Sequence, residues 1–154
     1  MMMSSIQPQM PLPKIYKTKN IGGNGGDVYK PDKNIDFSPN LQLKQIKIGA
    51  GDALDSVQFV FSDGMQNIEL SKIGGNGGNK FEWNVPMNQM VSEIRLWVGN
   101  MVNGIQFFTQ KGEKSPVYGR ETGQLEKVMI NGKLLSYGGR CGACVDQITF
   151  YYWS

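Results

Sequence analysis

Three segments of this chain repeat one spacing of a glycine, a carboxylate or amide, and a phenylalanine. Residues 51–61 read GDALDSVQFVF, residues 99–109 read GNMVNGIQFFT, and residues 142–152 read GACVDQITFYY. In each, a glycine precedes three variable residues, then Asp55, Asn103 or Asp146, then an alternating apolar run that places Phe59, Phe107 or Phe150 alike. A second signature is interleaved with the first: GGNGG at 22–26, an identical GGNGG at 74–78, and an eroded counterpart from Tyr118 to Gly123. Glycine admits positive φ and lets a ligand touch main chain with no Cβ between them. Successive N–H groups in such turns form a concave row of donors for oxygen atoms. A carboxylate beside them accepts charge-assisted bonds from neighbouring hydroxyls. Donors plus one fixed acceptor suit a vicinal or 1,3-related diol, which means a sugar. They suit phosphate poorly, because the carboxylate repels it. GGNGGDVYK also departs from the G-x-x-x-x-G-K-[ST] phosphate loop.

One Gly-rich run by itself is more often a plain tight turn, and one Asp a plain strand-start cap. Two identical loops and three strand-linked copies shift the balance towards a site. The order along the chain is also informative. The second Gly-rich loop starts 19 residues after Asp55, and the first glycine of the eroded one lies 16 after Asn103, but only eight residues follow Asp146. The loop that serves Asp146 is therefore the N-terminal one, 22–26, reached across a closed ring. Three pseudo-equivalent sheets closing on themselves is the geometry this spacing requires.

The elements that must hold these loops are strands. Val57, Phe59 and Phe61 form one alternating set. Ile94, Leu96 and Val98 form another, Val128 and Ile130 a third, and Ile148, Phe150 and Tyr152 a fourth. Glycine, Asn, Asp and Pro clusters punctuate them at Gly49–Gly51, Asp63–Gly64, Gly74–Asn79, Asn131–Gly132 and Tyr137–Gly139. Asp63–Gly64 and Asn131–Gly132 are the best signals for positive-φ hairpin turns. No long segment has helical apolar spacing, so the chain reads as all-β: a sandwich, barrel or prism. Residues 14–154 read as one domain, and residues 1–13, rich in Pro, Gln and Met, as a flexible tail.

Composition excludes much else. The 154 residues include 20 Gly, no His, two Cys and a net charge of +3. Without histidine there is no Ser-His-Asp or Cys-His triad and no imidazole metal ligand. Two cysteines make neither a four-cysteine zinc site nor a disulfide framework. No metal and no cofactor is expected. The charge is too small to imply nucleic-acid binding, and no run approaches the ~18 apolar residues of a membrane span. The N-terminus lacks a secretory apolar stretch and no Asn-x-Ser/Thr sequon is present, which favours the cytoplasm; a secreted form with its signal removed reads the same way.

Together the GGNGG loop, the Gly-x-x-x-Asp loop, the strand VDQITFYY and the run SPVYGRETG resemble the jacalin-related lectins over about residues 15–154. The resemblance implies a β-prism I fold, three four-stranded antiparallel sheets about a pseudo-threefold axis, and carbohydrate binding without catalysis. It implies a first sugar site at Gly26, Ala143, Cys144 and Asp146, where backbone N–H groups and one carboxylate hold the sugar. A second copy falls on Gly78, Asp52, Ala53 and Asp55. A third, at Asn100, Met101 and Asn103, lacks the carboxylate and is expected to be weak or silent. Galactose-preferring members are cleaved at the first glycine loop. Here about 21 residues precede it uncut, which resembles the mannose/glucose-preferring group. Homodimerisation is the family habit.

Other features carry less. Cys141 and Cys144 form a C-x-x-C, but redox chemistry of that motif needs a helix N-terminus; a loop disulfide, or oxidation that changes sugar binding, is the alternative use. Trp83, Trp97 and Trp153 could stack on sugars, against a default of buried strand tryptophans. Lys14, Lys17, Lys19, Lys30 and Lys33 could form a basic patch, against a default of a solvated face. The competing reading of the whole is a β-prism module that binds protein or anionic glycan. A glycosidase needs two carboxylates facing one bond, and these aspartates lie in separate repeats.

Overall fold

A computed structural model describes residues 14–30 and 40–154, which form strands and turns with no helix. The N-terminal tail and Lys33 lie outside the described residues. The first sheet holds β1 (Ile15–Lys17), β2 (Ile21–Gly22), β3 (Asp27–Val28), β13 (Lys133–Cys141) and β14 (Val145–Trp153), in the order β1-β14-β13-β3 with β2 also on β14. The second holds β4 (Gln42–Ala50), β5 (Leu54–Ser62), β6 (Asn67–Glu69), β7 (Ile73–Gly74) and β8 (Asn79–Asn84), in the order β6-β5-β4-β8 with β7 also on β5. The third holds β9 (Val91–Val98), β10 (Val102–Thr109), β11 (Tyr118–Gly119) and β12 (Gln124–Met129), in the order β11-β10-β9-β12. All pairings are antiparallel. Each sheet is thus four strands wide, with the outer strand split in two in the first pair of sheets. The N-terminal strands complete the sheet of the C-terminal hairpin, which is the ring closure the loop spacing requires.

The three repeated phenylalanines meet at the centre. Phe59, Phe107 and Phe150 are all 0% exposed. Phe59 stacks on Phe150 with centroids 6.4 Å apart, and Phe107 stacks on Trp83 at 5.9 Å. Ile46, Ile94, Leu96, Ile105 and Ile148 fill the space around them. Each fully buried side chain of this size contributes roughly 1.5–3 kcal/mol, so the apolar alternation is what fixes which strand face turns inward. Register then fixes which residues reach the loops at the strand ends.

Two of the turn expectations are corrected. Asp63–Gly64 does close a hairpin: Gly64 has φ +94°, and Asp63 Oδ1 accepts from the N–H groups of Met65 and Gln66 at 2.8 and 2.9 Å. Asn131–Gly132 does not. It joins β12 to β13, which belong to different sheets, and neither residue has positive φ. Gly132 is needed for close approach instead, since a Cβ there would lie 2.0 Å from the Trp153 carbonyl oxygen. Tyr137–Gly139 is not a turn but the interior of β13, with Tyr137 buried against Phe59.

Candidate functional site

The three Gly-x-x-x-Asp/Asn segments are the β4–β5, β9–β10 and β13–β14 turns, and they share one geometry. The first glycine donates its N–H to the carbonyl two residues on, at 3.0 Å in every case: Gly51 to Ala53, Gly99 to Met101, Gly142 to Cys144. The bend does not use the N–H groups of the first two variable residues, and those residues are exposed or half-exposed. Among the described residues those of Ala143 and Cys144, and of Asp52 and Ala53, donate to no protein acceptor. Unpaired backbone donors in a half-exposed turn are what a hydroxyl-bearing ligand would fill.

Each turn is met by a Gly-rich loop in matching register. The N–H of Gly23 reaches Asp146 O, that of Gly75 reaches Asp55 O, and that of Arg120 reaches Asn103 O, all at 2.9 Å. The run Gly119–Gly123 is therefore a true third copy in the same five-residue frame. The last glycine of each intact loop lies against the carboxylate. Gly26 and Gly78 have φ +68° and +75°, and a Cβ on them would fall 2.5 Å from Asp146 Oδ2 and 2.3 Å from Asp55 Oδ2. Bare backbone is required there by both conformation and space. The expected groups Gly26, Ala143, Cys144, Asp146 and Gly78, Asp52, Ala53, Asp55 are each brought together.

The third copy is different in a way that explains itself chemically. Asn103 Nδ2 donates to Thr122 O at 2.8 Å, so its side chain is tied to its own loop. Asn100 and Met101 occupy the same turn positions as the residues of the other two copies, but the amide beside them is already engaged.

The three copies also touch in sequence around the ring. A Cβ on Gly23 would meet Asn100 O at 2.0 Å, and one on Gly75 would meet Ala143 O at 2.5 Å. Where these glycines have a counterpart with a side chain, Arg120, its guanidinium reaches Asp52 Oδ1 at 2.5 Å. Cys144 Sγ lies 3.6 Å from Asp55 Oδ1, so a thiol on the first site's turn faces the second site's carboxylate. Burial, then the nearby charge of Asp55, its hydrogen bond, and Asp146 all push the Cys144 thiol above its ordinary pKa. Neither contact was legible in the sequence, because both join residues of different repeats.

Several other expectations can be placed. Both cysteines are free; Cys141 packs against the core while Cys144 faces Asp55. The tryptophans are half-buried rather than buried, and Trp83 packs against the core on Phe107. Lys17 on β1 and Lys30 beyond β3 lie at opposite edges of the first sheet, and Lys19 pairs with Glu126 at 2.7 Å. They form no single basic patch.

With this geometry in view, comparison with known proteins is decisive. The Jacalin-like lectin domain matches residues 18–151. The chain belongs to that family. It is a carbohydrate-binding protein rather than an enzyme. Horcolin from Hordeum vulgare is 30% identical over 139 residues, covering 84% of this chain and 91% of that protein. Jacalin-related lectin 32 from Arabidopsis thaliana is 26% identical over 151 residues, 88% of this chain but 47% of the relative. Among solved structures, a mannose-binding jacalin-related lectin from Ananas comosus superposes with a TM-score of 0.73 at 24% identity, covering 89% of this chain and 96% of that one. Artocarpin complexed with methyl-α-mannose gives 0.76 at 19% identity, covering 92% and 98%. These structural likenesses are of fold, and they establish the three-sheet prism.

Proposed function

We propose that this protein recognises mannose- or glucose-type sugars at two sites per chain, one at Gly26, Ala143, Cys144 and Asp146, the other at Gly78, Asp52, Ala53 and Asp55. The observation that carries the reading is the pairing of unpaired backbone N–H groups, on exposed or half-exposed turn residues, with one carboxylate, repeated in two copies. A hexopyranose offers adjacent hydroxyls that can each accept from an N–H and donate to a carboxylate oxygen. The mannose-binding relatives and structural neighbours support the choice of sugar. The third copy lacks the carboxylate, and Asn103 instead donates to Thr122 O, so this site is weak or silent. A single shallow site of this kind binds with a Kd on the order of millimolar, or about 4 kcal/mol; two on one chain raise avidity for branched glycans by linking the binding events.

The test is titration with methyl α-mannoside, followed by amide NMR shifts. Asp146→Ala leaves only the second site and Asp55→Ala only the first. The double variant, folded by its melting curve, loses binding. Retained affinity in that double variant refutes the site assignment. A glycan array with hits on heparin but none on neutral glycans favours an anionic-glycan module instead.

A further inference from the structure

In all three copies, one carbonyl of the Gly-rich loop is held by a side-chain donor, and the source of that donor differs. It is the carbonyl of the fourth loop residue: Gly25, Gly77 or Thr122. In the third copy Asn103, the residue at the acid position, donates to Thr122 O itself at 2.8 Å. Asp146 and Asp55 cannot do this, because an ionised carboxylate only accepts. In the first copy the donor is Arg140, whose Nε reaches Gly25 O at 3.1 Å and whose Nη2 reaches Gly26 O at 2.9 Å. In the second it is Lys80, whose Nζ reaches Gly77 O at 3.1 Å and Asn76 O at 2.7 Å.

The two cations come from equivalent places on opposite strands. Arg140 faces Val28 across β13 and β3, and Lys80 faces Gly49 across β8 and β4. These cross-strand pairs are equivalent, each one step in from the strand end, where Cys141 pairs with Asp27 and Ala50 with Asn79. One member carries the cation; its partner is Val28 in the first copy and Gly49 in the second. A Cβ on Gly49 would sit 3.1 Å from Gly77 O and 3.5 Å from Lys80 Nζ. In the third copy the equivalent pair is Trp97 and Leu125, with no cation. The donor is therefore a separate cation in the two copies that carry an aspartate, Arg140 from the neighbouring strand and Lys80 from the strand that follows the loop, and is absent where an asparagine supplies its own.

We infer that Arg140 and Lys80 are positioning residues for the two sites: each supplies the loop-holding hydrogen bond that an aspartate cannot make, leaving that carboxylate free for the ligand. The inference rests on the reading of these loops as sugar sites. By holding the carbonyls of Gly25 and Gly77, the cations fix the loop that sets Gly26 and Gly78 against the carboxylates. Neither side chain needs to touch the sugar.

The experiment uses the full chain and methyl α-mannoside. With Asp55→Ala present, so that only the first site reports, Arg140→Met weakens binding about twofold to fivefold, the upper part of the range for exposed charged contacts. With Asp146→Ala present, so that only the second site reports, Arg140→Met changes nothing, and Lys80→Met produces the loss instead. The rescue copies one repeat's design into the other: Arg140→Gly with Val28→Lys returns the first site to within about twofold of its starting affinity. Amide exchange supplies a readout independent of sugar. Arg140→Met speeds exchange in residues 22–26 but not in 74–78, and adding Asp146→Asn slows it again without restoring binding. Equal weakening of both sites by Arg140→Met, or unchanged affinity and exchange, overturns the inference. If the parent protein binds no mannoside, the sugar reading fails, and the exchange measurements still decide whether the cations hold the loops.

Discussion

Replacing Gly26 by alanine separates the demands of the turn from those of the site. The residue sits at φ +68°, and an added Cβ would lie 2.5 Å from Asp146 Oδ2 and 2.7 Å from the carbonyl carbon and oxygen of Cys141. A non-glycine residue in this left-handed region costs about 1–2 kcal/mol. At roughly 2–4 °C per kcal/mol for a domain of this size, the melting temperature falls by about 2–8 °C. Ordinary carbon–oxygen contact needs roughly 3.5 Å. The Asp146 carboxylate must therefore retreat by about an ångström, since the Cys141 main chain on the other side is held in the sheet. Hydrogen bonds of normal length do not survive that displacement. Loss of a charge-assisted bond costs about 1.5–3 kcal/mol, which is about 10- to 150-fold in affinity. The measurement is a methyl α-mannoside titration of Gly26→Ala in the Asp55→Ala background, beside its melting curve. Gly112→Ala is the control: its φ is +87° and nothing lies within 4 Å of the added Cβ. It loses the same few degrees and no affinity. Binding by Gly26→Ala equal to its parent, with the expected drop in melting temperature, refutes the argument that the carboxylate position depends on bare backbone.

Other outcomes follow from particular contacts. The raised pKa of Cys144 leaves less thiolate at a given pH, so iodoacetamide labels it more slowly at pH 8 than it labels glutathione; Asp55→Ala removes a charge and an acceptor and speeds the reaction, as mass spectrometry will read. Asn103→Asp exchanges a donor to Thr122 O for a carboxylate facing a carbonyl. It lowers the melting temperature by a few degrees, at about 1 kcal/mol for the lost bond, and creates no third sugar site by NMR titration. Arg120→Ala removes an exposed ion pair with Asp52; stability changes by less than about 1 kcal/mol, and shifts at the Asp52 and Ala53 amides, not at Ala143 and Cys144, report it.

Much of the fold was legible because its cause is local. Alternation of apolar residues specified strands, and the repeated Phe59, Phe107 and Phe150 marked the strand from each sheet that reaches the centre. The matching of each Gly-x-x-x-Asp/Asn turn to a Gly-rich loop was legible as a repeat, and the bond from Gly23 N–H to Asp146 O closes the ring. Turn chemistry was less transferable. Asp63–Gly64 makes a hairpin because β5 and β6 are neighbours in one sheet. Asn131–Gly132 bridges two sheets, and nothing in a dipeptide reports which strands it joins. The eroded loop was harder to weigh still, since its frame survives in Gly119 and Gly123 while its intervening side chains do not.

What the sequence determined alone was the set of groups that could bind: glycines placed to expose backbone, a carboxylate at a constant offset, and no histidine to suggest other chemistry. These are properties of residue type and spacing within one repeat. What only the tertiary structure decided was how the repeats serve one another. The Cys144 thiol facing Asp55 and the Arg120 guanidinium at Asp52 depend on ring closure, and the donor from Arg140 on cross-strand register. No spacing along the chain encodes those distances. Only the fold shows that Asn103 donates to its own Gly-rich loop, a bond that the aspartates of the other two copies cannot make.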